Sequence, residues 1–135
     1  MPWDHTTPTG TAPVSVKAGT TANARRVHAG ATTTTAAPTL ASHGYATGAF
    51  RYLHIDIKLT GGTNATFKLW RWNQVSGIWK LDSRMGVNGT LTISTADTSN
   101  NPYGAIIETA FSERCYLQIA AVSGPPTIDA WIGGV

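Results

Sequence analysis

The side chains that could do chemistry are few and scattered. Seven carboxylates are present: Asp4, Asp56, Asp82, Asp97, Asp129, Glu108 and Glu113. Glycoside hydrolysis needs two of them roughly 5–10 Å apart across a sugar ring, and no spacing singles out a pair. His54 and Asp56 stand two residues apart beside Tyr52, so on a strand they share one face. An imidazole oriented by a carboxylate is how a general base is built. The same spacing is also that of an ordinary solvated strand face, which is the commoner outcome. His5, His28 and His43 match no zinc-ligand spacing. The one cysteine, Cys115, has no disulfide partner in the chain and reads as a small buried hydrophobe. No phosphate loop, nucleophile elbow or dinucleotide fingerprint occurs, and "GGTNAT" reads as a turn. The expectation is a protein without catalytic residues, metal or cofactor.

The stronger signal is aromatic. The stretch "LWRWNQVSGIWK", Leu69 to Lys80, holds three of the five tryptophans. With "QVSG" as a hairpin loop, Trp72 faces Trp79, Trp70 lies beside them with Leu81, and Arg71 faces Lys80 on the other side. Like charges face each other only where water screens them. The Arg71/Lys80 face is therefore expected to be wet near the turn, with the tryptophans inward. Phe67 and Leu69 share parity with Arg71, however. Either a bulge shifts the phase or a neighbouring chain covers one face. Trp70, Trp72 and Trp79 form a core or interface patch, or alternatively a platform for stacking sugars.

The elements that would carry these residues are strands. "FRYLHIDIKL" puts Leu53, Ile55, Ile57 and Leu59 on one face and Tyr52, His54, Asp56 and Lys58 on the other. "TGGTN" turns the chain. "ATFKLWRW", "IWKLD", "LTIST", "AIIETA", "CYLQIAAV" and "IDAWIGGV" are further strands, with an Asn-Gly turn signal in "VNGT". Residues 105–122 lack Gly and Pro, and Ile106, Ile107, Ala110 and Phe111 also fit helical spacing; β-branched content favours two strands. Seven or eight short strands predict an all-β fold, an antiparallel β-sandwich of jelly-roll type.

Residues 1–48 differ in character. They are rich in Thr, Ala, Gly and Pro, with too little apolar surface to offset their ordering entropy. They read as an extended N-terminal arm, and residues 49–135 as the β-sandwich body. One short strand is expected at "PVSVKA", where Val14 and Val16 alternate. Trp3 has the character of an anchor for a partner pocket, and Arg25-Arg26 is the only basic pair. Charged residues are 13% of the chain and the net charge is +3, without the clustering a nucleic-acid binder shows. No signal-peptide pattern and no membrane-span-length apolar run is visible. The sequons at Asn64 and Asn88 are read as accidental.

A Thr/Ala-rich arm, a compact β-body, no cysteine framework, low charge and no catalytic motif together resemble the small virion proteins of tailed bacteriophages. The chain looks most like the capsid cement, or decoration, proteins. The resemblance implies a homotrimer on the virion surface, bound to the major capsid protein or other virion subunits. The arm would lie along a neighbour by strand addition and dock Trp3. In that picture Trp3, Val14, Val16, Arg25 and Arg26 supply the grip. Deleting the arm would leave the body folded and remove capsid binding. The alternatives are a glycan-binding module, such as a tail-fibre tip, and a small enzyme using His54 and Asp56. A small coat protein of another virus type would be expected to use a more basic arm for its genome.

Overall fold

The computed structural model describes residues 24–47, 50–98, 103–108 and 114–134. Its strands are β1 (Ala24–Ala31), β2 (Tyr45–Ala46), β3 (Tyr52–Thr60), β4 (Asn64–Asn73), β5 (Ile78–Leu81), β6 (Leu91–Ser94), β7 (Tyr103–Glu108), β8 (Arg114–Ser123) and β9 (Thr127–Gly134). A single helical turn, α1 (Thr95–Thr98), follows β6. One sheet has the order β1-β9-β3-β7 and the other β2-β8-β4-β5, with β6 also on β4. All pairings are antiparallel. The result is the all-β sandwich that the alternation predicts. The described part of 105–122 is strand, β7 and β8, and not helix.

Period-two alternation fills the space between the sheets. Leu53, Ile55, Ile57 and Leu59 of β3 are buried together with Ile128, Ala130 and Ile132 of β9. Against them lie Ala65, Phe67 and Leu69 of β4 and Cys115, Leu117 and Ile119 of β8. Burying each of the large aliphatic side chains contributes about 1.5–3 kcal/mol. Strand β4 carries the second sheet. One edge pairs with β8 from Asn64 to Arg71. The other is shared, β6 taking Asn64–Phe67 and β5 taking Trp70–Asn73.

The segment Ala24–Thr47 is more integrated than its composition implies. β1 pairs with β9 from Ala24↔Gly133 to Ala31↔Ile128, with two register shifts. The segment after it runs along the open edge of β8. The Thr35 N–H donates to the Ile119 carbonyl at 2.9 Å and the Ile119 N–H donates to Thr35 Oγ1 at 3.0 Å. β2 then pairs Tyr45 with Cys115. The sequence boundary at residue 48 thus falls after two strands that belong to the two sheets. A segment with few apolar side chains is held here because β9 and β8 satisfy its backbone groups. Trp3, Val14, Val16 and the strand expected at "PVSVKA" lie outside the described residues.

Gly44 shows how closely this segment approaches. It has φ +84°, and a Cβ there would sit 2.3 Å from the Cys115 carbonyl oxygen. Any other residue would push β2 off β8. Because Ala24–Thr47 covers one edge of each sheet, a chain starting at Phe50 is expected to lose cooperative melting, and circular dichroism melts of that chain and of the whole protein check this.

Candidate functional site

The hairpin predicted from "LWRWNQVSGIWK" forms in the expected register. Trp72 pairs with Trp79, Trp70 with Leu81 and Arg71 with Lys80. The tryptophans do not face inward, however. The core face of β4 runs Ala65, Phe67, Leu69 without interruption, and its next position is Arg71. A register shift does occur, between Thr66 and Phe67 on the β8 side, and it leaves the phase of β4 unbroken. The tryptophans therefore stand on the outer face of the second sheet, and a neighbouring segment covers part of them. Trp79 is buried, and its indole N–H donates to the Leu40 carbonyl at 2.9 Å. Trp72 meets it edge-on, with ring centroids 5.5 Å apart. The Trp70 indole N–H donates to Gln118 Oε1 at 2.8 Å.

Other aromatic and basic groups extend this outer layer. Tyr116 pairs with Trp70 and stacks on Tyr45 at 5.8 Å. Burial, then Tyr116 and Cys115, push the Tyr45 hydroxyl above its ordinary pKa. Arg25 lies 5.7 Å from the Tyr45 ring. Arg114 donates to the carbonyls of His43 and Gly44, fastening the covering loop. His43 closes that loop by accepting at Nδ1 from the Thr39 and Leu40 N–H groups. Beside this ordered layer two apolar side chains are exposed, Leu40 at 60% and Val75 at the hairpin tip at 99%. Ile78, 50% exposed, pairs with Asn73 and shares the parity of Arg71 and Lys80, so it stands on the opposite face of the sheet.

A charged cluster closes the core beneath the hairpin. Asp82 donates its backbone N–H to the Leu69 carbonyl at 2.8 Å, one rung past the Trp70↔Leu81 pair. It therefore points to the core face, and its side chain is fully buried. Arg84 binds the carboxylate through Nε at 3.0 Å, through one Nη at 2.8 Å and through its backbone N–H at 3.0 Å. Arg71 Nε lies 3.0 Å from Oδ2. That N–H points off the carboxylate, so the contact is an ion pair and not an aligned hydrogen bond. Burial pushes the Asp82 carboxyl up. The Arg84 hydrogen bonds and the charges of Arg71 and Arg84 outweigh it and hold the carboxyl below the usual range. Sequence reading saw Arg71 only as the neighbour of Lys80 and did not single out Asp82 or Arg84.

The remaining chemical candidates lie elsewhere. His54 and Asp56 are on the outer face of the first sheet, His54 between Gly133 and Ile106 and Asp56 between Trp131 and Gly104. Among the described residues no hydrogen bond joins them. Arg26 forms an ion pair with Asp129 and lies 5.5 Å from the Trp131 ring. Cys115 is buried, which pushes its thiol up to about 12. His28 is buried and its Nε2–H donates to the Leu117 carbonyl at 2.8 Å. Burial lowers its pKa more than that bond raises it. Among the described residues no group of three His, Cys, Asp or Glu is placed to hold a metal. No described helix is long and apolar enough to cross a membrane. No family model, no curated protein and no solved structure matches the chain.

Two buried ionisable groups give measurable consequences. Replacing Asp82 by Asn leaves two arginines facing an uncharged amide. The expected loss is about 3 kcal/mol, at the low end for a broken buried pair because Arg84 is partly in water. Urea unfolding at pH 7 checks it. In the wild type the Asp82 contribution is present above about pH 4 and disappears as pH falls through the lowered native pKa. For His28, the unfolded chain binds a proton near pH 6.5 while the fold resists it. Stability should therefore fall as pH drops below about 6.5. Urea midpoints at pH 7.5 and 5.5 should show a smaller drop in His28→Gln than in the wild type.

Proposed function

We propose that this chain is a structural virion protein, a jelly-roll module that binds the outer surface of a tailed-phage capsid and stabilises it. The strand pairings support the jelly-roll reading: β1 with β9, β2 with β8, β3 with β7, and β4 with β5 and β6. That is one long antiparallel hairpin folded over on itself. Viral capsid and lectin domains use this architecture. The observation that carries partner binding is the tryptophan hairpin. Exposed Leu40 and Val75, on the covering loop and at the hairpin tip, lie beside a Trp72–Trp79 pair held by the protein's own bonds. A rigid aromatic pair with exposed apolar neighbours has the aromatic and apolar character of an interface core. The partner is the major capsid protein or another virion subunit, with the residues before Ala24 as a second point of attachment.

The reading is tested by adding purified protein to capsids of the virus that encodes it and measuring what co-sediments. Wild type should bind. A chain starting at Ala24, and a Leu40→Asp/Val75→Asp double variant, should each bind at least about tenfold more weakly while remaining folded. Undiminished binding by both would remove the proposal.

A second reading, a glycan-binding module, is favoured by the half-buried Trp70 and Trp72 on the outer face of the second sheet. The bonds that engage Trp70 and Trp79 within the protein weigh against it. Quenching of tryptophan fluorescence by a saccharide, together with absent capsid binding, would favour it instead.

A further inference from the structure

The sandwich has four sheet edges, and three are closed or broken. At the β1 edge, two register shifts interrupt the ladder. The β8 edge is covered by β2, by Thr35 and by the His28 bond to Leu117. The edge opposite it is split between β5 and β6, four residues each. These are devices by which proteins prevent sheets from adding strands. Strand β7 carries none of them. Its six residues, Tyr103–Glu108, contain no proline or lysine and pair with β3 without a register shift. No described residue pairs with its other side.

The faces of β7 follow from its partners. Ala105 and Ile107 lie opposite Ile55 and Leu53 and face the core, whereas Gly104, Ile106 and Glu108 face out beside Asp56, His54 and Tyr52. Ile106 is 64% exposed, an isoleucine left on a sheet edge. We infer that β7 is the contact between two copies of this chain, paired antiparallel about a two-fold axis through Ile106. In that register Ile106 faces its own counterpart, Ala105 faces Ile107 and Gly104 faces Glu108. The exposed isoleucines cover each other on the outer face. Ala105 and Ile107 continue the apolar layer across the junction. The carboxylates meet glycine, so no like charges are opposed. A register one residue away would bring core-facing residues to the outer face, and a register two residues away would set Ile106 opposite Gly104 or Glu108 and leave the two isoleucines apart. The two four-stranded sheets become one continuous sheet, an isologous interface. This contact goes beyond the capsid reading and does not depend on it. It specifies a dimer where the resemblance to cement proteins implies a trimer.

The test uses the full chain. Light scattering should give about twice the 14.3 kDa chain mass. Ile106→Lys should give a single-chain mass with unchanged circular dichroism. Should that variant fold poorly, Ile106→Cys decides. Directly opposed residues have Cβ atoms about 4.5–5.5 Å apart, within relaxation of disulfide geometry. Mild oxidation should therefore convert Ile106→Cys to a covalent dimer, while Cys115, buried, stays unreacted. A monomer at all accessible concentrations overturns the inference. So does a trimeric mass that survives Ile106→Lys, which would point to head-to-tail assembly, or the absence of an Ile106→Cys cross-link.

Discussion

Everything in the sandwich depends on the pairing of β4 along both of its edges. Ten residues, Asn64–Asn73, hold β8 on one side and β6 and β5 in succession on the other. Because side chains alternate, a slip of one residue would send Phe67 and Leu69 to solvent and Trp70 into the core. The apolar layer fixes the register over the first half of the strand. Over the second half, where the core ends, it is held by Asp82. The carboxylate occupies the rung opposite Leu69 and meets both Arg71 and Arg84. A charged cluster there does what aliphatic packing does elsewhere, and it has the greater sensitivity to loss of one member.

The second constraint is the management of edges. β8 would expose a long row of backbone groups if the chain before Phe50 did not lie along it. That segment closes the edge in three different ways. It supplies a two-residue strand, the Thr35 backbone and hydroxyl, and an imidazole. It then crosses the outer face of the second sheet, where the Leu40 carbonyl receives the Trp79 indole. The aromatic layer is thus half core and half surface. It is built on strands, buried at Trp79, and open at Leu40 and Val75.

Much of this was legible in the chain itself. The alternation in "FRYLHIDIKL" marked β3 and its buried face. The hairpin register of Trp72 with Trp79 followed from loop length alone, because antiparallel pairing counts outward from a turn. The Asn-Gly signal in "VNGT" corresponds to a turn in which Val87 and Thr90 exchange hydrogen bonds of 3.0 Å each way. β1 was missed because "ARRVHAGA" does not alternate. Its two register shifts break the period that would have revealed it. β2 is two residues long and has no pattern to read.

The sequence by itself determined the class of fold and which aliphatic residues lie inside, because both follow from a period of two that is local and repeated. Only the tertiary structure decided what covers the tryptophans: their outward direction follows from the parity of Phe67 and Leu69, but Trp79 is buried beneath a loop 39 residues earlier in sequence, whose Leu40 carbonyl accepts its indole N–H. Only the tertiary structure brought Asp82 to Arg71, because the two meet across a ladder. And only the order of strands in space left β7, among the described residues, with an edge that is neither covered nor broken. Those are properties of partners, and a partner far along the chain leaves no mark on local spacing.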